Sequence, residues 1–427
     1  MKILYIADNR DRCNWGCRAT SAALSEIIGK EHEVVGRISG RLTLSREFIY
    51  VPLWRGKINA LVYKNEMTYG VARQIMKRVP HSVAGRCDFL SEDFDRSIEL
   101  IKKYACVNKA YAEINLDAYE YDAIVINGEG TMIMSSPCRR DTLYYLLFVY
   151  WASKRGKKVF FMNTIFSDCS KTGRNENTLS LIKKILPACN SITVRDPLSY
   201  RYVKDVLCLQ DCEYVPDALF TWTKYYQNEN IIKNIRDILP FGYESDRELS
   251  GVDISANNYI CISGSSSAAW NPTEAVKTYA ELVRALKQKT RLPIFLVQAC
   301  SGDSFLDKVA RMTDTILIPA QVPIVLGLNL LAHAKIYISG RYHPSIMASL
   351  GGTPCVFLGA NSHKNIGLQE MLEYDIPKEY HACPTAEDIE GICRDAVNLL
   401  DDTGIRKKIM EVCAQRADEA GRILDYI

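Results

Sequence analysis

An open α/β architecture, built as two Rossmann-like lobes facing a central cleft, is what this chain predicts. Short apolar runs rich in β-branched and aromatic residues alternate with helix-length segments from Tyr121 to Asp217. Between Trp222 and Asn258 the alternation lapses into polar, Tyr- and Asn-rich sequence, and a second alternating series then begins. Strands that alternate with helices pair in parallel and are covered on both faces, so each series predicts one doubly wound sheet. The expected boundaries are a first lobe over 1–222 with an insertion at about 40–117, a linker over 223–258, and a second lobe over 259–427.

Taken in order, the strand KILYIAD ends in the polar loop NRDRCNWGC, which puts Asn9, Arg10, Asn14, Gly16 and Arg18 at or near a strand's carboxyl end. The loop lacks GxGxxG, so no dinucleotide fingerprint is present. The helix RATSAALSEIIG presents Ala22, Ala23, Ile27 and Ile28 for burial, and strand EVVGRI follows. Helices are expected in the insertion near 67–78 and 93–104. YDAIVING reads as a strand ending in Gly128-Glu129-Gly130-Thr131, either a plain tight turn or exposed backbone N–H groups beside a carboxylate. The run LYYLLFVYWA at 143–152 is too short to span a bilayer and reads as a buried helix. Strands KKVFFMNT, SITVRD and EYVPD complete the first lobe. In the second, NYICISGS, LPIFLVQ, TILIP and KIYIS are strands separated by helices. The stretch SGRYHPSIMASLGGTPCVFL then gives a cationic turn, a helix burying Ile346, Met347 and Leu350, and a last strand. The tail reads as amphipathic helix, and no short repeat suggests a solenoid.

Composition narrows the function class. Hydrophobic residues at 48% with 24% charged are ordinary for a soluble chain. A net charge of +3 leaves no nucleic-acid footprint. The 15 cysteines are scattered without CxxC pairs or a histidine cluster, so reduced thiols and no metal are expected. MKILYIADNRD is not an export signal. The expected location is cytoplasmic, open to peripheral contact with the inner face of a membrane.

Parallel open sheets bind ligands at the carboxyl ends of their strands, which makes chemistry-bearing residues there candidates. Arg341 and His343 end one strand and open one helix, where guanidinium, imidazole and free N–H groups suit an anion. Arg195, ending SITVRD, could reach a phosphate or carboxylate, or form a structural pair with an aspartate. Asp217 ends another strand and could equally cap a helix. Glu129 sits among glycine N–H groups. Ser265 lies in the loop Ser263-Gly264-Ser265-Ser266-Ser267, a shape that accepts phosphate. His363 and Lys364 follow CVFL on the same edge. His333 reads as packed in a helix, and His32 and His81 have no constellation around them.

Four pieces, NGEGTM, TVRDPLSY, YVPDALF and ISGRYHPSIMASLGGTPCVFL with HKNIGL behind it, together resemble the polysaccharide pyruvyl transferase family. The resemblance implies a GT-B-like fold. It also implies transfer of the enolpyruvyl unit of phosphoenolpyruvate to a sugar of a cell-surface polysaccharide or its precursor, forming a pyruvate ketal and releasing phosphate. It carries Arg195, Arg341 and His343 over as the phosphoenolpyruvate site, with Lys364 beside them and no separate cofactor. The chemistry fits those residue types. Cations suit a carboxylate and a phosphate, and an imidazole can deliver a proton near neutral pH. His343 is then the general acid, and Glu129 or Asp217 the base for the sugar hydroxyl. Asn14, Arg18 and Glu129 are the expected acceptor contacts. The chain departs from the family where Asn14-Trp15-Gly16-Cys17 lacks the usual final acid and where Glu129 interrupts a glycine run.

Two other readings share the fold. A nucleotide-sugar glycosyltransferase would also hold phosphates with a basic strand-end pair, and would want a carboxylate on the ribose, for which Glu370 and Glu373 are the candidates. A catalytically silent sugar-binding protein would keep the architecture too. The acceptor is expected to be a saccharide, lipid-linked or polymeric. The Tyr- and Arg-rich stretch from Arg37 to Arg86 is a candidate contact for a glycan or a membrane-bound carrier.

Overall fold

A computed structural model describes residues 1–40, 89–106, 109–232, 235, 239, 254, 257–402 and 404–427. The expected helix near 67–78, His81, and most of the Arg37–Arg86 stretch lie outside the described residues.

The first lobe holds six parallel strands in the order β2-β1-β3-β4-β5-β6. They are β1 (Lys2–Ile6), β2 (Glu33–Ile38), β3 (Ala123–Met134), β4 (Lys158–Asp168), β5 (Ser191–Val194) and β6 (Cys212–Tyr214). The second lobe holds five, β7 (Ile260–Ser265), β8 (Ile294–Val297), β9 (Ile316–Ile318), β10 (Ile336–Gly340) and β11 (Cys355–Phe357), in the order β11-β10-β7-β8-β9. All are parallel. In each sheet the order reverses beside the first strand, at β1/β3 and at β7/β10. Crevices open outside the carboxyl ends of strands at such switch points.

Local sequence sets the helices that matter for the cleft. Asn14 in extended conformation accepts the N–H of Cys17 (3.2 Å) and starts α1 (Trp15–Ile28). The apolar run at 143–152 lies in α2 (Arg140–Lys154), with Tyr144 to Val149 all buried. Asp196 accepts from Ser199 N–H (2.8 Å) and Pro197 takes the first position of α3 (Pro197–Tyr202). In the second lobe α4 (Tyr342–Ser349) buries Ile346 and Met347 completely, and α5 (Lys364–Met371) opens at Lys364. Among the described residues no helix is long and apolar enough to cross a membrane.

β3 corrects the expected turn at Gly128-Glu129-Gly130. The strand continues through Met134, and its register against β4 shifts between Glu129 and Met132. Glu129 has φ 43°. A left-handed residue of this kind breaks the ladder locally, after which Met132–Met134 pair with Phe166–Asp168. The result is a kinked strand that aims one carboxylate sideways.

The lobes are packed together as well as linked. One apolar core runs from Ile3 and Tyr5 of the first sheet through Trp15 to Val322, Leu328 and Ile346 of the second lobe. The final helix, α6 (Ile405–Gly421), and the turn after it return to the first lobe, where Ser191 Oγ donates to the carbonyl of Tyr426. Arg406 at the start of that helix donates to the carbonyls of Ala332, Ala334 and Gly351.

Candidate active site

A cleft of about 220 Å³ lies where the two sets of strand ends meet. Asn9, Arg12, Glu129, Arg139 and Arg195 line it from the first lobe, and Cys300, Arg341, His343, Asn361 and Lys364 from the second.

His343 sits at its centre of charge. Its Nε2 is 2.8 Å from Arg195 Nη1 and 3.2 Å from Asp217 Oδ2, and the same Arg195 nitrogen donates to that oxygen at 2.9 Å. All three side chains are nearly or wholly buried. Burial alone would raise the Asp217 carboxyl, but the charges of His343 and Arg195 overcome it and hold the group down at about 2. Its other oxygen accepts from Thr20 Oγ1 (3.0 Å) and Leu219 N–H (2.9 Å), so the carboxylate cannot swing away. The guanidinium of Arg195 lies 4.4 Å from the ring centroid of Tyr342. With Nε2 taken up by Arg195 and Asp217, the ring nitrogen that remains is Nδ1, which is turned to Gly16. A Cβ on Gly16 would lie 2.5 Å from it.

Arg341 is held in the same manner. Its Nε and Nη2 donate to Asp303 Oδ1 at 3.1 and 2.6 Å, and Asp303 is fully buried after also accepting from Ala299 N–H. Buried guanidiniums need such partners because an unpaired charge is costly to desolvate. Neither arginine is therefore a free cation. Lys364 is different: among the described residues its ammonium donates only to neutral oxygens, Asn361 Oδ1 (2.8 Å) and Ser266 Oγ (3.3 Å), with Glu379 the one carboxylate whose charge supports it. Burial first, then the charges of Arg341, Arg195 and Arg139, push it down to about 7.

Glu129 closes the first-lobe wall. Its Oε1 accepts from Asn9 Nδ2 at 2.8 Å and from Ser21 Oγ and Asn127 Nδ2 at 3.4 Å. Asn163 Nδ2 donates to Asn127 Oδ1 and to Thr20 Oγ1, which in turn donates to Asp217. A buried polar chain thus connects the carboxylate at 129 to the one behind His343. Hydrogen-bonded networks of this kind fix geometry, and here Asn9 Oδ1 is the member left without a partner among the described residues.

The structure brings Arg195, Arg341, His343, Lys364, Asn14 and Glu129 to one cleft, and moves three expected residues elsewhere. Asp217 lies behind His343 and not on the wall, with its Oδ2 against both Arg195 and His343. Ser265 donates to the carbonyl of Gly359 and accepts from Ser267 N–H, so its hydroxyl braces two loops. Arg18 donates to the carbonyls of Ala320 and Val322 (both 3.2 Å) and ties the lobes together. His363 contacts Ser199 and Asp196 across the lobe junction, and His333 approaches the Gln227 carbonyl. Sequence reasoning passed over Asp303, Arg12 and Arg139. Asp303 follows strand LPIFLVQ, so the rule that drew attention to the other strand ends applied to it as well. Arg12 was hidden among Arg10 and Arg18, which look identical in sequence.

Comparison with known proteins fits this geometry. The family model for polysaccharide pyruvyl transferase matches residues 57–362, more than half of the chain. No curated protein sequence matches it. Among solved structures the chain is similar to the UDP-GlcNAc 2-epimerase of Methanocaldococcus jannaschii, at 11% identity and TM-score 0.52 over 97% of this chain and 99% of that one. It is similar also to a putative UDP-N-acetylglucosamine 2-epimerase of Listeria monocytogenes (11% identity, TM-score 0.54, 99% and 94% covered). Arabidopsis thaliana UGT89C1, complexed with UDP-L-rhamnose, aligns at 13% identity and TM-score 0.51 (99% and 97% covered). At such identities the likeness is one of fold, the two-lobed GT-B architecture. The strand-end motifs, the cationic cleft and the family match together make this chain a member of the polysaccharide pyruvyl transferase family.

Proposed function

We propose that the protein transfers the enolpyruvyl unit of phosphoenolpyruvate to a sugar, closing a pyruvate ketal and releasing phosphate. The observation that carries this reading is the cleft wall itself. An imidazole braced by a buried carboxylate stands beside one unneutralised ammonium and two guanidiniums that still have N–H groups to spare. A small molecule with a phosphate and a carboxylate matches those donors.

In this reading Lys364 and Arg341 hold the donor's two anionic groups, and Arg195 adds charge from the first lobe. The Nδ1–H of His343 gives its proton to carbon 3, which makes carbon 2 electrophilic. Glu129 takes the proton of an acceptor hydroxyl as the new C–O bond forms at carbon 2. The bond to phosphate then breaks, and a second hydroxyl closes the ketal. Of the two hydroxyl protons lost, one is balanced by the proton gained at carbon 3 and the other leaves with phosphate. Asp217 is reassigned from base to positioning group, since it fixes which imidazole nitrogen faces the cleft.

A nucleotide-sugar reading has less support. Its ribose carboxylate candidates are engaged elsewhere, Glu370 with Arg201 (3.1 Å) and Glu373 with Arg416 (3.2 Å). The test is phosphate release from phosphoenolpyruvate in the presence of lipid-linked or polymeric surface glycan. His343→Ala should lower the rate by about a hundredfold or more. In D2O the ketal methyl group should gain one deuterium. Near-normal turnover of the variant removes His343 as the acid, and product with a retained vinyl group removes ketal formation.

A further inference from the structure

The loop after β1 and the first turn of α1 hold three arginines, and two are accounted for. Arg10 is paired with Asp8 (2.6–3.0 Å), and Arg18 is spent on the carbonyls of Ala320 and Val322. The third, Arg12, lines the cleft. Among the described residues its guanidinium makes no ion pair, and its Nε is buried without a hydrogen-bond partner. Its backbone N–H is fixed to the Asn9 carbonyl (3.1 Å), which holds this turn of the loop beside the cleft. The carboxylates of Glu129 and Asp141 act on it through their charge, but among the described residues neither forms an ion pair with it: Glu129 accepts from Asn9, Ser21 and Asn127, and Asp141 stands 3.8 Å from Arg139. Arg139 lines the same wall with its Nη1 on the Gly130 carbonyl (2.7 Å). A guanidinium N–H buried without an acceptor is unfavourable. A ligand anion that pairs with it recovers the lost interaction.

We propose that Arg12, supported by Arg139, is a second anion-binding site on the first-lobe wall, and that it takes a phosphate or carboxylate carried by the acceptor. This rests on the donor reading above. There the donor's anionic groups belong to Lys364 and Arg341 of the second lobe, whereas Arg12 stands on the side of Glu129, where the accepting hydroxyl must lie. The acceptor is accordingly an anionic saccharide and not a neutral one. Its charge comes either from a phosphate ester or diphosphate link or from an acidic sugar, and the two sources share the chemistry that a guanidinium recognises.

The experiment is calorimetric titration of the full chain with inorganic pyrophosphate and, separately, with glucuronate, each after saturation with phosphoenolpyruvate. One further equivalent of at least one probe should bind. Pyrophosphate binding alone identifies a phosphate-borne charge, and glucuronate binding alone identifies a sugar carboxylate. In Arg12→Gln this second binding should weaken at least tenfold, while phosphoenolpyruvate binding stays within about threefold of wild type. Arg12→Lys, which keeps the charge, should retain the second equivalent and guards against a merely misfolded variant. Two outcomes overturn the proposal: neither probe binds once phosphoenolpyruvate is present, or Arg12→Gln loses phosphoenolpyruvate binding instead. Failure of wild type to bind phosphoenolpyruvate would refute the donor reading alone. The probes titrated without it would then still show whether Arg12 holds an anion.

Discussion

Lys364 gives the cleft its pH signature. In the free protein its ammonium is pushed down to about 7 from an ordinary value near 10.5 by burial and three guanidiniums. A bound dianion favours the charged form and returns the group toward its ordinary value. Binding therefore takes up a proton between pH 7 and roughly 10. Affinity for an anionic donor should fall above pH 7, by at most tenfold per unit, and the contribution of Lys364 to it should change little with pH below 7. Calorimetry in buffers of different ionisation enthalpy reads that proton directly. The same displaced value means that the free protein gains stability from this residue as pH rises above 7. Lys364→Met should consequently raise the melting temperature of the free protein near pH 7 while weakening donor binding about tenfold or more. Gly16 offers a second residue-scale test. A methyl group there would stand 2.5 Å from His343 Nδ1, so the imidazole must move. Gly16→Ala should cost about a hundredfold in kcat, as misplacement by an ångström does, and steady-state kinetics will check it. Arg341 and His343 were legible in sequence because both follow one strand within three residues. Their buried carboxylates were not, since Asp217 and Asp303 approach from other strands and only tertiary packing reveals the pairing.

At the scale of elements, α1 does more than its sequence suggests. RATSAALSEIIG reads as an ordinary small-residue helix, yet the helix starts three residues earlier at Trp15, which is wholly buried between lobes and donates its indole N–H to the Ala320 carbonyl (3.0 Å). Gly327 approaches the indole so closely that a Cβ there would sit 2.8 Å from the ring. Trp15→Ala should destabilise the protein by about 3–5 kcal/mol, measured by denaturant titration, and should lower donor affinity because the lobes lose their register. β3 was half legible. The apolar run into Gly128 marked a strand, and a glycine-flanked glutamate resembled a turn. What the pattern left out is that Met132–Met134 have a partner in the extended β4, a pairing that depends on strands distant in sequence.

For the whole molecule, alternation of strand and helix was enough to expose both lobes, because period and length are local properties of the chain. Which loops meet across the cleft is a property of strand order and of how two sheets dock, and local pattern does not encode it. The outcome is a cleft whose second-lobe wall carries Lys364, Arg341 and His343 and whose first-lobe wall carries Glu129 and Arg12. In the proposed reaction the second-lobe wall takes the donor and the first-lobe wall the acceptor. The returning helix over Ile405–Gly421 and the contact of Ser191 with Tyr426 keep the two walls facing each other.

Direct titration of phosphoenolpyruvate, alongside UDP-N-acetylglucosamine, into wild type and Lys364→Met tests the central claim most simply. One equivalent of phosphoenolpyruvate should bind wild type with uptake of a proton at pH 8, and the variant should bind at least tenfold more weakly without that uptake. Tight binding of the nucleotide sugar with no binding of phosphoenolpyruvate would contradict the account.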